Sequence, residues 1–264
     1  MVLNPTELIT SDKNTTVKLV KALLAQARQR KKHGQTVVEG VHLIDAALRS
    51  DYPFVQILLS ESARRHPEVQ QILTRLPTYT PVLTLSDTLY ESIRSLGTGI
   101  DVMAVIKVPM PSLPIIDEDC LILNDVQDSG NVGTLLRTAA AVGIRNILCT
   151  SATAQAWSPK TLRAGMGAQF ALTIFEGLST QDILDHVQVP LLATSSHTDT
   201  LIYDHNLSTP VAWIMGHEGQ GVCDDLMQCA TPIALPQPNG QESLNVAIAG
   251  SLCLYETLRQ RQYS

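Results

Sequence analysis

Cys120-Leu-Ile-Leu-Asn-Asp-Val-Gln-Asp-Ser-Gly-Asn-Val-Gly133 is the stretch on which the reading of the fold turns. Its first four residues form a continuous apolar run, the pattern of a strand buried on both faces, as strands of a covered parallel sheet are. The polar, glycine-containing loop that follows leads into a helix. Leu135, Leu136, Ala139 and Ala140 mark its buried side, Asn131 is a candidate N-cap and Gly143 a stop. Strand, glycine loop, helix is a common layout for phosphate and nucleotide sites. Gly130-x-x-Gly133, however, is neither G-x-G-x-x-G nor a Walker loop, which argues against a nicotinamide-dependent oxidoreductase.

Two more loops follow apolar strands further along. Val211-Ala-Trp-Ile-Met215 opens into Gly216-His-Glu-Gly-Gln-Gly221, where Glu218 is either a turn residue or a site carboxylate. A strand at Ile233 ends at Pro236 and gives way to a polar loop. A helix is then entered through Ser243-Leu-Asn245, with Leu244, Ala247, Ile248, Leu252 and Tyr255 expected to be its buried face. Another strand runs to Leu191-Leu-Ala-Thr-Ser195. In open parallel sheets ligands bind beyond the carboxyl ends of the strands, so the three loops are expected to share one pocket. Between them, Ser158 to Phe170 carries Lys160 and Arg163 on a short helix beside small residues, suited to close subunit packing or to holding a phosphate.

Upstream, strands and helices alternate from about Thr16 to Val108, which suggests a separate small α/β domain. Its first helix, Thr16 to Arg30, ends in a basic cluster of Arg28, Arg30, Lys31, Lys32 and His33, stopped by Gly34. Pro109, Pro111 and Pro114 with acidic residues at 117–119 mark a linker. The domains are therefore expected at 1–107 and 120–264, joined by 108–119.

Composition bounds the function. The net charge of −6 conceals an uneven distribution: residues 1–107 hold 13 basic against 10 acidic residues, and residues 108–264 hold 6 against 15. The first part is thus the candidate phosphate-binding surface. Aromatic residues at 4% argue against a broad base-stacking platform. Five cysteines without a C-x-x-C pair argue against a disulfide framework and a zinc site, and no H-E-x-x-H occurs, so no metal is expected. With no eighteen-residue apolar run and no secretory start, a cytoplasmic protein without a membrane anchor is expected.

In order and spacing, the three loops resemble the signature motifs of the SpoU/TrmH-type RNA 2′-O-ribose methyltransferases of the SPOUT superfamily. The first part, with Arg30-Lys-Lys32 followed by Val37-Val-Glu-Gly40, is similar to the L30e-like substrate-binding domain that often precedes them. The resemblance implies a mostly parallel α/β domain with a deep trefoil knot. It also implies S-adenosylmethionine as cofactor, a homodimer formed through the C-terminal domain, and rRNA or tRNA as substrate. Carried onto this chain, Gly216, Leu235, Leu244 and Thr194 are the expected cofactor-binding residues. Arg137, Asn131, Glu218, Ser243 and Asn245 are the expected catalytic set, and Arg28, Arg30, Lys31, Lys32 and Arg163 the expected RNA contacts. A catalytically silent RNA-binding protein of the same fold is the alternative. The loop Gln237 to Glu242 departs from the family pattern and is a candidate for substrate choice.

Overall fold

A computed structural model describes residues 8–238 and 244–263. The chain divides into two compact units, one formed by residues up to Pro109 together with Trp157–Phe170, the other by Met110–Ala156 and Ala171 onward.

The first unit contains β1 (Leu8–Ile9), α1 (Thr15–Ala25), α2 (Ala27–His33), β2 (Gln35–Glu39), α3 (Val41–Arg49), β3 (Phe54–Ser60), α4 (Pro67–Arg75), β4 (Val82–Leu85), α5 (Asp87–Glu91) and β5 (Val102–Lys107). Its sheet runs β1-β4-β3-β5-β2, with β1, β4 and β3 parallel and β5 antiparallel to both neighbours. Val17, Val20 and Leu23, spaced at three residues on α1, pack with Val37, Leu58, Leu85, Met103 and Val105 of the strands. Asn14 caps α1 by accepting from the amides of Thr16 and Val17.

The single helix expected from Thr16 to Arg30 is two, because Gln26 takes an extended conformation. Arg30 Nη1 donates to the carbonyl oxygen of Leu23 at 2.8 Å, covering an acceptor near the break. Gly34, left-handed at φ 58°, then ends α2 as expected. The segment Trp157–Phe170 also belongs to this unit, although the sequence places it within 120–264. Thr36 Oγ1 donates to the Trp157 carbonyl at 2.6 Å, and Tyr52 packs edge-on against Phe170.

The second unit follows with β6 (Cys120–Leu123), α6 (Ser129–Val142), β7 (Asn146–Thr150), then α7 (Pro159–Ala164) in the segment that joins the first unit, β8 (Thr173–Leu178), α8 (Thr180–His186), β9 (Leu191–Thr194), β10 (Ala212–Met215), α9 (Asp224–Met227), β11 (Thr231–Ile233) and α10 (Val246–Gln262). Six strands in the order β11-β9-β10-β6-β7-β8 are all parallel, so their carboxyl ends lie along one edge. One face of this sheet is covered by a cluster that includes Ile116, Ile122, Phe175, Ile183, Ile214 and Leu226.

α6 packs against α10 at a contact built on small residues. A Cβ at Gly250 would stand 2.4 Å from Leu135 Cδ2 and 3.0 Å from Met215 Sδ, so glycine is what lets the helix approach. Thr138 and Ser251 share a hydroxyl hydrogen bond across this contact, and Trp213 Nε1 donates to Thr257 Oγ1 at 2.9 Å.

Of the face of α10 expected to be buried, only Ala247 is. Val246, Ala247, Gly250, Cys253, Leu254 and Thr257 face inward, whereas Leu244, Ile248, Leu252 and Tyr255 are 37%, 53%, 47% and 53% exposed. The sheet accepts the helix along its small residues and leaves the large apolar ones outside. β8 and α8 have no counterpart in the sequence reading. Among the described residues no helix is long and apolar enough to cross a membrane, and no group of His, Cys, Asp and Glu is placed to hold a metal.

Candidate active site

The loop after β6 is drawn tight before α6 begins. Asn124 is buried; its amide donates to the Met215 carbonyl and its Oδ1 accepts from the Cys223 amide at 2.7 Å. Asp125 follows in a left-handed conformation, φ 60°, held by Thr150, whose hydroxyl donates to Asp125 Oδ1 at 2.6 Å. The chain then enters α6 with Asp128, not Asn131, as N-cap: Asp128 Oδ1 accepts from the Asn131 amide at 2.9 Å. The Asn131 side chain is thereby left available for tertiary contacts.

Those contacts join the three loops. Asn131 Nδ2 donates to Glu218 Oε1 at 2.9 Å, and Asn131 Oδ1 accepts from Asn245 Nδ2 at 3.0 Å. Glu218 also accepts from the backbone amides of Gln127 and Asp128, each at 3.2 Å. Asn245 in turn caps α10, its Oδ1 accepting from the amides of Ala247 and Ile248. Burial by itself raises the Glu218 carboxyl pKa, but the hydrogen bonds from Asn131 and the backbone outweigh it and hold the carboxyl below its ordinary value. A carboxylate so committed is a poor proton acceptor and a good clamp.

The loop around Glu218 is itself rigidly built. His217 and Gly221 exchange backbone hydrogen bonds at 2.9 Å, and His217 Nδ1 accepts from the amides of Gly219 and Gln220. That pattern requires the ring proton on Nε2. Gly216 is buried, and a Cβ there would lie 2.3 Å from both Gly221 C and Val222 N, so the residue type is dictated by backbone approach.

Of the expected cofactor-binding residues, Thr194 ends β9, Gly216 follows β10 and Leu235 lies two residues past β11; since β9 pairs with both, the three sit at neighbouring strand ends. Thr194 and Leu235 are half-buried, and Leu244 is exposed just before α10. Ser243 lies outside the described residues. Arg137 is exposed on α6, six residues beyond Asn131, and pairs with no described residue. On the first unit, Arg28, Lys31 and Lys32 are exposed along α2 and Arg30 is half-buried, while Arg163 is half-buried on α7. Two contributions escaped the sequence reading. Asp128 offered an N-cap signal equal to that of Asn131. Gln237 entered the sequence reading only as one end of the 237–242 loop; its Oε1, buried with no donor among the described residues, carried no signal of its own.

Three hydrogen-bonded loops lie beyond the carboxyl edge of a parallel sheet, the edge at which open α/β folds bind their ligands. Residues 119–255 match the model of the SpoU rRNA methylase family, and residues 14–104 match an MRM3-like substrate-binding domain. The chain belongs to the SpoU rRNA methylase family. It is 32% identical to an uncharacterized tRNA/rRNA methyltransferase of Synechocystis, over 96% of this chain and 94% of the other. It is also 32% identical to the 23S rRNA (guanosine(2553)-2′-O)-methyltransferase of Bacillus subtilis, over 94% and 97%. An AdoMet-bound rRNA methyltransferase from Sinorhizobium meliloti superposes with a TM-score of 0.86 at 27% identity, covering 98% of this chain and 99% of the other.

Proposed function

We propose that this chain is an S-adenosylmethionine-dependent enzyme that methylates a ribose 2′-hydroxyl in structured RNA, with ribosomal RNA the substrate class its relatives' names favour and tRNA the second. The observation that carries the reading is the relay Glu218–Asn131–Asn245, which ties the three motif loops into one wall.

The residues fit the cofactor. Gly216, Thr194 and Leu235 lie at neighbouring strand ends, and Gln237, two residues past Leu235, has a buried side-chain oxygen with no donor among the described residues. When bound there, S-adenosylmethionine supplies an activated methyl group on a sulfonium. The protein's part is alignment and charge. Asn131 and Asn245, held by Glu218 and by the N-terminus of α10, order the reacting end, with Ser243 assigned there by its motif position. A guanidinium offers donors and no acceptor, so the role of Arg137 is to stabilise the developing alkoxide and hold the adjoining phosphate. The hydroxyl proton leaves to solvent. Glu218, with its lowered pKa, positions rather than accepts.

The exposed stripe of Leu244, Ile248, Leu252 and Tyr255 supports a homodimer formed through the C-terminal unit. Residues 120–264, apart from Trp157–Phe170, which pack within the first unit, would then be the methyltransferase domain, with the trefoil threading of its family. Residues 1–107 would be the RNA-binding domain, joined by 108–119. Arg28, Lys31 and Lys32 on α2 are its phosphate contacts, with Arg30 and Arg163 in support. Such an enzyme would work in the cytoplasm.

The test is incubation of the purified protein with methyl-labelled cofactor and total RNA from a strain lacking the gene, followed by mapping of the modified nucleotide. Label on a single ribose is the expected result. Cofactor and RNA binding without any label would overturn the enzyme reading in favour of a silent RNA-binding protein.

A further inference from the structure

The ladder between β11 and β9 ends in a defined way. Ile233 O accepts from the Ser195 amide, and Ala234 is tied on both sides, its amide to Thr200 O and its carbonyl to Ile202 N. Leu235, Pro236 and Gln237 then leave the sheet with no further ladder partner. Gln237 carries its side-chain oxygen into a position shielded from solvent, where it finds no donor among the described residues. Among the described residues of the second unit this is the one buried side-chain oxygen or nitrogen so left. A buried carbonyl without a donor destabilises the fold that contains it. Its place at the strand-end edge where Leu235 and Thr194 sit points to a ligand donor that completes it.

We infer, on the reading that S-adenosylmethionine binds here, that Gln237 reads the adenine ring of the cofactor. Its Oε1 accepts from the 6-amino group, and its Nε2 donates to an adjacent ring nitrogen. A primary amide matches that edge of adenine, donor to acceptor and acceptor to donor, which is the pairing glutamine makes with adenine in nucleic-acid recognition. On the N7 edge it mismatches a 6-oxo purine, whose O6 and N7 are both acceptors, so that no orientation of the amide gives Oε1 a donor. The cofactor's α-ammonium, the other strong donor, would be better met by a carboxylate. Gln237 also follows Leu235, which the proposed reading assigns to the cofactor, and precedes Asn245, which it assigns to the reacting end. The residue therefore sets cofactor identity and takes no part in methyl transfer.

Calorimetry on the full-length protein with S-adenosylhomocysteine and with S-inosylhomocysteine, its 6-oxo analogue, tests this without turnover. The wild type is expected to bind the adenosyl ligand at least tenfold more tightly than the inosyl one. Gln237→Leu is expected to weaken the adenosyl ligand by roughly 3- to 10-fold and to remove most of the discrimination. Gln237→Met, closer in shape, keeps the experiment interpretable where leucine packs poorly, and the unliganded thermal midpoint of either variant should not fall. Wild-type discrimination retained in both variants would overturn the inference. A wild type that binds neither ligand would instead overturn the cofactor reading on which it rests.

Discussion

Glu218 Oε1 accepts a hydrogen bond from Asn131 Nδ2 at 2.9 Å, linking a loop after β10 to the first turn of α6 across 87 positions of sequence. Because the same carboxylate also receives two backbone amides, it needs acceptor capacity that an amide lacks. Glu218→Gln is expected to turn a donor toward a donor, speed hydrogen exchange of the Gln127 and Asp128 amides, and slow single-turnover methylation tenfold or more, by about the strength of the lost charge-assisted bonds. The sign of the pH effect follows from the lowered pKa. Stabilisation is complete above the ordinary glutamate value of 4.5 and is lost as the pH falls through the lower, folded-state value. Exchange protection of those two amides should therefore fade on acidification below about 4.5 in the wild type and be flat in the variant. Equal protection in the two proteins would contradict the clamp.

Gly216 allows no compensation of this kind. The atoms a Cβ would strike are backbone atoms of Gly221 and Val222, fixed in turn by the paired amides of His217 and Gly221. Gly216→Ala is expected to destabilise the protein by about 3 kcal/mol and to abolish cofactor binding. Denaturant unfolding and calorimetry measure the two separately, and wild-type behaviour in both would remove the close-approach argument.

Leu244, Ile248, Leu252 and Tyr255 line one side of α10 and stand outside its own core. Ile248→Glu combined with Leu252→Lys is therefore expected to leave circular dichroism unchanged while converting a dimer to a monomer in sedimentation. A wild type that is monomeric at micromolar concentration, or a variant that stays dimeric, would exclude this face as the interface.

Much of this architecture was legible because local chemistry and tertiary role agree. Cys120 to Leu123 reads as a two-sided buried strand and is one, all four residues being buried. Gly143 ends α6 in the left-handed conformation its residue type favours. What was not legible depends on partners remote in sequence. Asp128 and Asn131 are equivalent capping candidates until Glu218 takes the Asn131 side chain. The apolar stripe of α10 announces burial without saying whether its own sheet or another chain supplies it. Trp157–Phe170 looks like a continuation of the second domain, and only its packing with Thr36 and Tyr52 shows where it belongs. The loop from Gln237 stood out in the sequence, but the orphaned acceptor of Gln237 did not, because it is a property of the residue's surroundings.

The α2 cations separate by the same logic. Arg30 is committed to the Leu23 and Leu24 carbonyls, whereas Lys31 and Lys32 are exposed. Lys31→Glu with Lys32→Glu is expected to lower RNA affinity and to reduce the salt slope of binding by about 2, with stability unchanged. Arg30→Ala is expected to lower the thermal midpoint as well. An unchanged salt slope in the double variant would remove α2 from the RNA interface.

Arg137 offers the cleanest separation of chemistry from folding. It is exposed and makes no hydrogen bond or ion pair with a described residue, so its removal breaks none. Arg137→Ala is expected to leave the thermal midpoint and S-adenosylhomocysteine affinity unchanged while reducing single-turnover methylation by roughly 100- to 1,000-fold, the range for loss of a charge that stabilises a developing oxyanion. Arg137→Lys tests how that charge acts. Lysine retains a positive charge but not the planar, forked donor set that holds an alkoxide and a phosphate oxygen together. It should therefore restore only a small part of the rate, with the pH profile still free of an inflection near neutrality. Near-full activity in Arg137→Lys would mean that a point charge suffices, and the bidentate role would have to be abandoned.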